Sequence, residues 1–173
     1  MELIHCTYQD HAEAILSILN ESIIHSTAVY DYQPRPLSSM APWFAAKQAH
    51  DFPVIGARSD AGHLLGFATY GTFRAWPAYK YTAELSLYVE PSSRGQGVGD
   101  RLLAELIRVA AERQLHVLIG GIDASNAVSM ALHRKHGFSH CGTVRQCGFK
   151  FGQWLDLAFY PLVLKTPADP VDG

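Results

Sequence analysis

The chain has 173 residues, 48% apolar and 17% charged, with a net charge of −2, which suits one domain with a full core and is too apolar for disorder. No basic cluster marks a nucleic-acid surface, no apolar run approaches membrane-spanning length, and the start MELIHCTYQD lacks a basic stretch ahead of an apolar one. The three cysteines, Cys6, Cys141 and Cys147, form no CxxC pair; this argues against a disulfide framework or zinc ribbon and makes a reducing, cytoplasmic setting the default.

In chain order, Leu3–Cys6 reads as a short edge strand. Ala14, Ile15, Ile18, Leu19 and Ser22 recur at helical spacing and predict a helix from Asp10 to about Ile24. A loop with Pro34 and Pro36 follows. Ser38 or Ser39 is placed to cap a second helix, with Pro42 in its first turn, running to about His50. Val54–Arg58 and Leu64–Phe73 are strands joined by the turn Asp60-Ala61-Gly62. Ala75–Lys80 is an aromatic-rich loop interrupted by proline. Tyr81–Val89 is a strand with Ala83, Leu85, Leu87 and Val89 on one side and Thr82, Glu84, Ser86 and Tyr88 on the other.

Val98, Leu102, Leu106 and Val109 form the apolar stripe of the next helix. A buried strand begins at Val117 and stops near Asp123. Asn126 opens a helix that ends near His136, with Gly137 as its terminal glycine. Ser139–Phe149 and Trp154–Leu164 form a hairpin around Lys150-Phe151-Gly152-Gln153, and the tail after Lys165 is expected to be loose. The order β-α-α-β-β-β-α-β-α-β-β is a single mixed α/β domain.

Residues 92–103, SSRGQGVGDRLL, place three glycines in five positions between a strand and a helix, flanked by Arg94 and Arg101. Such a turn leaves the first helical amides pointing outward, and with the positive end of the helix dipole it makes a phosphate cradle. A P-loop needs Gly-Lys-Ser/Thr at its close, but Gly99 is followed by Asp100-Arg101. A dinucleotide fingerprint needs G-x-G-x-x-G in an opening βαβ unit, and these glycines alternate past mid-chain. A turn that merely lets the helix pack closely is the plain alternative. His133, His136 and His140 lie near one another in sequence, but the acids that would complete a metal site are missing.

The spelling Arg94-x-x-Gly97-x-Gly99 resembles the R/Q-x-x-G-x-G/A loop of the GNAT family of N-acetyltransferases. The strand Leu85–Val89 before it, the apolar helix after it, Asn126, and Leu132-His133-Arg134-Lys135-His136-Gly137-Phe138 agree with that family, so the resemblance spans residues 3–163. Glu84, His133 and the run from Gly148 to Asp156 are similar to the phosphinothricin and methionine sulfoximine acetyltransferase subfamily. The resemblance implies a GNAT fold: a mixed, mostly antiparallel sheet flanked by helices, with a strand pair splayed at the cofactor site. It implies acetyl-CoA as co-substrate and no metal.

By that resemblance the backbone of Leu87, Tyr88 and Val89 would pair with the pantetheine arm, and the Val89 N–H could stabilise the oxyanion. Gly95, Gln96, Gly97, Val98, Gly99 and Asp100 would hold the pyrophosphate, flanked by the charge of Arg94. Asn126 would bond the pantetheine, and Lys135 matches a cofactor-contacting basic position. Glu84, the only acid between Asp60 and Glu90, would take the amine's proton; its alternative is a structural ion pair with Arg74 or Lys80. His133 would return a proton to the thiolate; its alternative is a packing or capping role. Arg74, Ala75 and Trp76 would face the substrate, with Glu84, Leu85 and Ser86 opposite.

The activity implied is acetylation of the α-amino group of a small amino acid such as L-methionine sulfoximine, methionine sulfone or L-phosphinothricin. A peptide N-terminus, a polyamine or a non-catalytic acetyl-CoA-binding role are the alternatives, and Arg74 and Lys80 carry the wrong sign for a polyamine. A homodimer follows from the resemblance, through the Lys150 hairpin, although Gln153 stands where arginine is usual. Trp43 and Trp154 are expected to pack in the core or at an interface. No nucleic-acid or membrane partner is expected.

Overall fold

A computed structural model describes residues 1–172. Its elements are β1 (Glu2–His5), α1 (Tyr8–His25), α2 (Met40–Ala49), β2 (Val54–Arg58), β3 (Leu64–Thr72), β4 (Thr82–Val89), α3 (Val98–Glu112), β5 (Val117–Asp123), α4 (Ala127–Lys135), β6 (Gly142–Lys150) and β7 (Gln153–Val163). The strands form a seven-stranded sheet in the order β1-β2-β3-β4-β5-β7-β6. Pairing is antiparallel for β1–β2, β2–β3, β5–β7 and β6–β7, and parallel for β4–β5. The element order and the mixed, mostly antiparallel sheet are those expected from the sequence. No helix among the described residues is long and apolar enough to cross a membrane.

The chain divides into two compact units, Met1–Thr69 with Leu87–Leu106, and Tyr70–Ser86 with the residues from Ile107 onward. In the first, Ile15, Ile18, Leu19 and Ile23 of α1 are buried with Cys6, Met40, Val54 and Phe67. Each such aliphatic side chain contributes about 1.5–3 kcal/mol on burial. Thr7 opens α1 ahead of the expected Asp10, its Oγ1 accepting from the Asp10 N–H at 3.3 Å. Trp43 packs edge-on against Phe44 and Phe67, with centroids 4.9 Å and 6.4 Å apart.

Ser39 stands at the N-cap position of α2, as expected, but without the capping bond. A short 3-10 turn, Leu37–Ser39, runs straight into the helix. Ser39 is therefore already helical (φ −73°, ψ −19°) and makes no side-chain cap bond. Its hydroxyl turns back to donate to the Pro36 carbonyl at 2.7 Å. In α3, Val98, Leu102, Leu103 and Leu106 are buried. The stripe continues at Ala110, while Val109 is half-buried.

In the second unit, Leu118, Ile122, Phe138, Leu155, Ala158 and Tyr160 are buried. The β6–β7 hairpin closes at Lys150↔Gln153 around Phe151 and Gly152, both at positive φ (52° and 74°), the backbone of a two-residue primed turn. The tail, expected to be loose, is tied at two points. Thr166 Oγ1 donates to the Leu115 carbonyl at 2.5 Å, and the Val171 N–H donates to Tyr81 Oη at 3.2 Å.

Candidate active site

In the first unit the glycine turn is assembled from the end of β4. The Glu90 carboxylate accepts from the hydroxyls of Ser92 and Ser93, and these bonds hold it below the usual carboxylate range. Gln96 Nε2 donates to the Ser92 carbonyl at 2.7 Å. Gly95 and Gly97 have φ of +74° and +80°, and an added Cβ at either would meet nothing within 4 Å. Backbone conformation, not crowding, therefore selects glycine there, since a side chain costs about 1–2 kcal/mol in the left-handed region.

The first bond of α3 runs from the Arg101 N–H to the Gly97 carbonyl, at 3.2 Å. The amides of Val98 and Gly99 thus lie in the first turn of the helix, at its positive end. Val98 is buried and anchors the turn, while Gly95, Gln96 and Gly97 are exposed. This is a cradle that fits the oxygens of a diphosphate.

Arg94, expected as a flanking charge for that anion, is engaged elsewhere. Its Nη2 pairs with Glu21 Oε2 at 2.7 Å, and its Nε donates to the Val89 carbonyl at 3.1 Å. Leu87, Tyr88 and Val89 are half-buried, with the Tyr88 ring 5.3 Å from Phe67.

In the second unit β4 pairs with β5 from Thr82↔Val117 to Leu85↔Gly120, and the ladder stops there although β5 continues to Asp123. A Cβ on Gly121 would lie 2.9 Å from Glu84 Oε1, and one on Gly120 would lie 2.8 Å from His133 Nε2. Adjacent strand residues face opposite sides, so Glu84 and His133 occupy opposite faces of β5, each against bare main chain. Burial raises the Glu84 pKa, and the charge of Arg74 opposes this incompletely.

Arg74 stacks on Phe73, with Cζ 5.1 Å from the ring centroid. Arg74, Ala75 and Trp76 are exposed, Trp76 by 75%. Ser86 alternates onto the Glu84 face. Leu85 does not: it is buried at 7% exposure on the other face. Its side chain therefore does not share the face of Glu84 and Ser86.

His133 is 3% exposed, edge-on to Phe138 with centroids 5.0 Å apart. Its Nδ1 lies 2.8 Å from the Ser129 carbonyl, which only accepts, so Nδ1 carries the proton. Nε2 is buried without a partner. Burial is the main cause that lowers the pKa of this ring. The neutral imidazole thus presents an acceptor at Nε2, and the donor role expected from the sequence requires a proton on that nitrogen.

Asn126 caps α4, its Oδ1 accepting from the Ser129 N–H at 3.0 Å; its Nδ2 is the group left to meet a ligand. Lys135 is exposed in the last turn of α4. Among the described residues no group of three or more His, Cys, Asp or Glu could hold a metal ion.

Sequence reasoning passed over Glu21, Ser129, the Gly120-Gly121 pair and Asp123. Asp123 is 5% exposed; its Oδ1 accepts from the Ser125 N–H at 2.8 Å, and its Oδ2 is unpaired. The glycine pair carried a signal, because glycine inside an apolar strand marks a close approach. Glu21 and Ser129 carried none, since their partners are set by the fold.

The acetyltransferase (GNAT) family model matches residues 13–138. The L-methionine sulfoximine/L-methionine sulfone acetyltransferase of Pseudomonas paraeruginosa is 40% identical, over 87% of each chain. The crystal structure of a phosphinothricin acetyltransferase from Sinorhizobium meliloti, in complex with AcCoA, has a TM-score of 0.93 at 32% identity, covering 98% of this chain and 91% of that one. A ribosomal-protein-alanine N-acetyltransferase from Brucella melitensis has a TM-score of 0.92 at 41% identity, covering 95% of this chain and all of its own. In fold, in the spelling and backbone of its glycine turn, and in its relatives, this chain belongs to the GNAT family of acetyltransferases.

Proposed function

We propose that the chain transfers the acetyl group of acetyl-CoA to the α-amino group of a small amino acid, in the class of L-methionine sulfoximine, L-methionine sulfone and L-phosphinothricin. The observation that carries this reading is the half-buried Glu84, poised over Gly121 with its pKa raised and Arg74 as the nearby cation. An amino acid of this class brings one carboxylate, a second oxygen-rich head and one ammonium. Arg74 suits the oxygens through a paired hydrogen bond, Trp76 offers a wall, and Glu84 suits the ammonium.

Bound acetyl-CoA supplies the activated thioester. In the first unit the amides of residues 95–100 would hold its diphosphate; in the second, Asn126 Nδ2 and Lys135 are the groups the family resemblance assigns to the cofactor. Glu84 would remove a proton from the ammonium, directly or through water, so that the free amine bonds to the acyl carbon as the carbon–sulfur bond breaks, and the second proton of that nitrogen would pass to the departing thiolate, which leaves as the free thiol. Neutral His133 donates only to the Ser129 carbonyl through Nδ1: it could protonate the thiolate only after gaining a proton at Nε2, which burial opposes. We therefore assign it to holding α4 against Gly120. A cytoplasmic homodimer completes the reading, with the exposed Phe149, Phe151 and Trp154 of the hairpin tip as the surface a second copy would cover.

The Brucella relative's name favours a second reading, acetylation of a peptide N-terminus. Thiol release with acetyl-CoA separates the two. Turnover of methionine sulfoximine, methionine sulfone or phosphinothricin, without turnover of spermidine or an alanine-initiated peptide, is the expected result. Turnover of the peptide alone would replace the first reading by the second.

A further inference from the structure

Arg94 begins the glycine motif, yet its guanidinium bridges two fixed points in the first unit. One is Glu21 on α1, 73 residues earlier in the chain, at 2.7 Å; the neighbouring Ser22 and Ile23 are buried and hold that helix turn in place. The other is the Val89 carbonyl, at 3.1 Å. The N–H of the same peptide unit, that of Glu90, donates to the Leu65 carbonyl at 2.9 Å. The Val89–Glu90 peptide is thus pinned at both ends, by Arg94 on its oxygen and by β3 on its nitrogen. A Cβ on Gly66 would come within 2.7 Å of the Tyr88 carbonyl oxygen and 3.2 Å of Val89 Cα, so β3 backs this stretch closely. A guanidinium already neutralised by a carboxylate has little surplus charge to offer a diphosphate, whereas a planar two-point donor is well shaped to fix a peptide plane.

We propose that Arg94 and Glu21 form a positioning pair that sets the Val89 peptide before acetyl-CoA arrives, and that Arg94 is not a counter-charge for the diphosphate. The pair's role rests on the acetyl-CoA reading above. A rigid peptide at the end of β4 fixes the preceding Val89 N–H by strand alternation. It would orient the thioester without touching it, and small misplacements of that kind are costly in rate.

The test compares acetyl-CoA with S-acetylpantetheine, a thioester lacking the diphosphate, in the full chain and in Glu21→Gln, Arg94→Gln and Arg94→Lys. Each variant is expected to lower kcat/KM by about tenfold and by the same factor for both donors, with KM for the amino acid and the melting temperature unchanged. Glu21→Gln combined with Arg94→Gln should cost no more than either alone, because both break one unit. Lysine should not rescue, since it cannot span both points. Loss confined to acetyl-CoA, rescue by lysine, or no loss in any variant would overturn the pair. A wild-type chain that turned over neither donor would overturn the acetyl-CoA reading itself, and this role with it.

Discussion

Glu84 is a carboxyl held between two opposing influences: burial keeps its proton on, the charge of Arg74 takes it off, and burial prevails. The base form therefore builds up at a higher pH than in an ordinary glutamate, and kcat/KM for the amine should rise with pH through that raised value. Glu84→Gln should remove this limb and lower kcat about a hundredfold while leaving acetyl-CoA affinity by calorimetry unchanged. The same shift has a stability sign. Folded Glu84 holds its proton more tightly than unfolded Glu84, so stability is greatest below the ordinary carboxylate pKa and falls as pH rises through the raised one. Glu84→Gln should therefore melt above the wild type at neutral pH and alongside it in acid. For His133 the sign is reversed: its folded pKa is depressed, so its contribution is full above the ordinary imidazole range and lost as pH falls below it. Nitrogen NMR of the neutral ring should show the proton on Nδ1, and a proton on Nε2 would restore the donor role. The sequence placed both residues but could not supply the tautomer, which depends on the Ser129 carbonyl one helical turn away.

Strand β5 owes its chemistry to what it lacks. Gly120 and Gly121 let His133 and Glu84 approach from opposite faces, and a Cβ at either would enter their space. Gly121→Ala should displace the Glu84 carboxylate, whose far end is flexible, and reduce kcat while the melting temperature moves little. Gly97→Val should instead weaken acetyl-CoA binding, because φ of +80° excludes a β-branched residue; normal affinity by calorimetry would remove the turn from the cofactor site. Most elements were legible from periodicity: alternation in β4, the stripe of α3, and the Asn126 and Gly137 ends of α4. The missing cap bond of α2 was not, because Ser39 lies inside a 3-10 turn that continues into the helix. The Arg94 contact was not either, because a motif spells a residue type while Glu21 lies on another element.

At the scale of the molecule, seven strands and four helices among the described residues place a glycine turn in one compact unit and a carboxylate–guanidinium pair in the other. A ligand that binds only the folded chain raises its stability by mass action, about 2.7 kcal/mol at a hundredfold excess over Kd. Acetyl-CoA should therefore raise the melting temperature in a concentration-dependent way, and Gly97→Val should blunt that rise. For the proposed dimer through the hairpin tip, replacing Phe149 and Trp154 by serine should shift the equilibrium towards monomer in sedimentation, because association would take these exposed rings out of water. The most direct measurement is a crystal structure with acetyl-CoA bound. The diphosphate oxygens should lie within hydrogen-bond distance of the main-chain amides of residues 95–100, with Arg94 still on Glu21 and Val89. A diphosphate lodged elsewhere, with those amides facing solvent, would contradict the account.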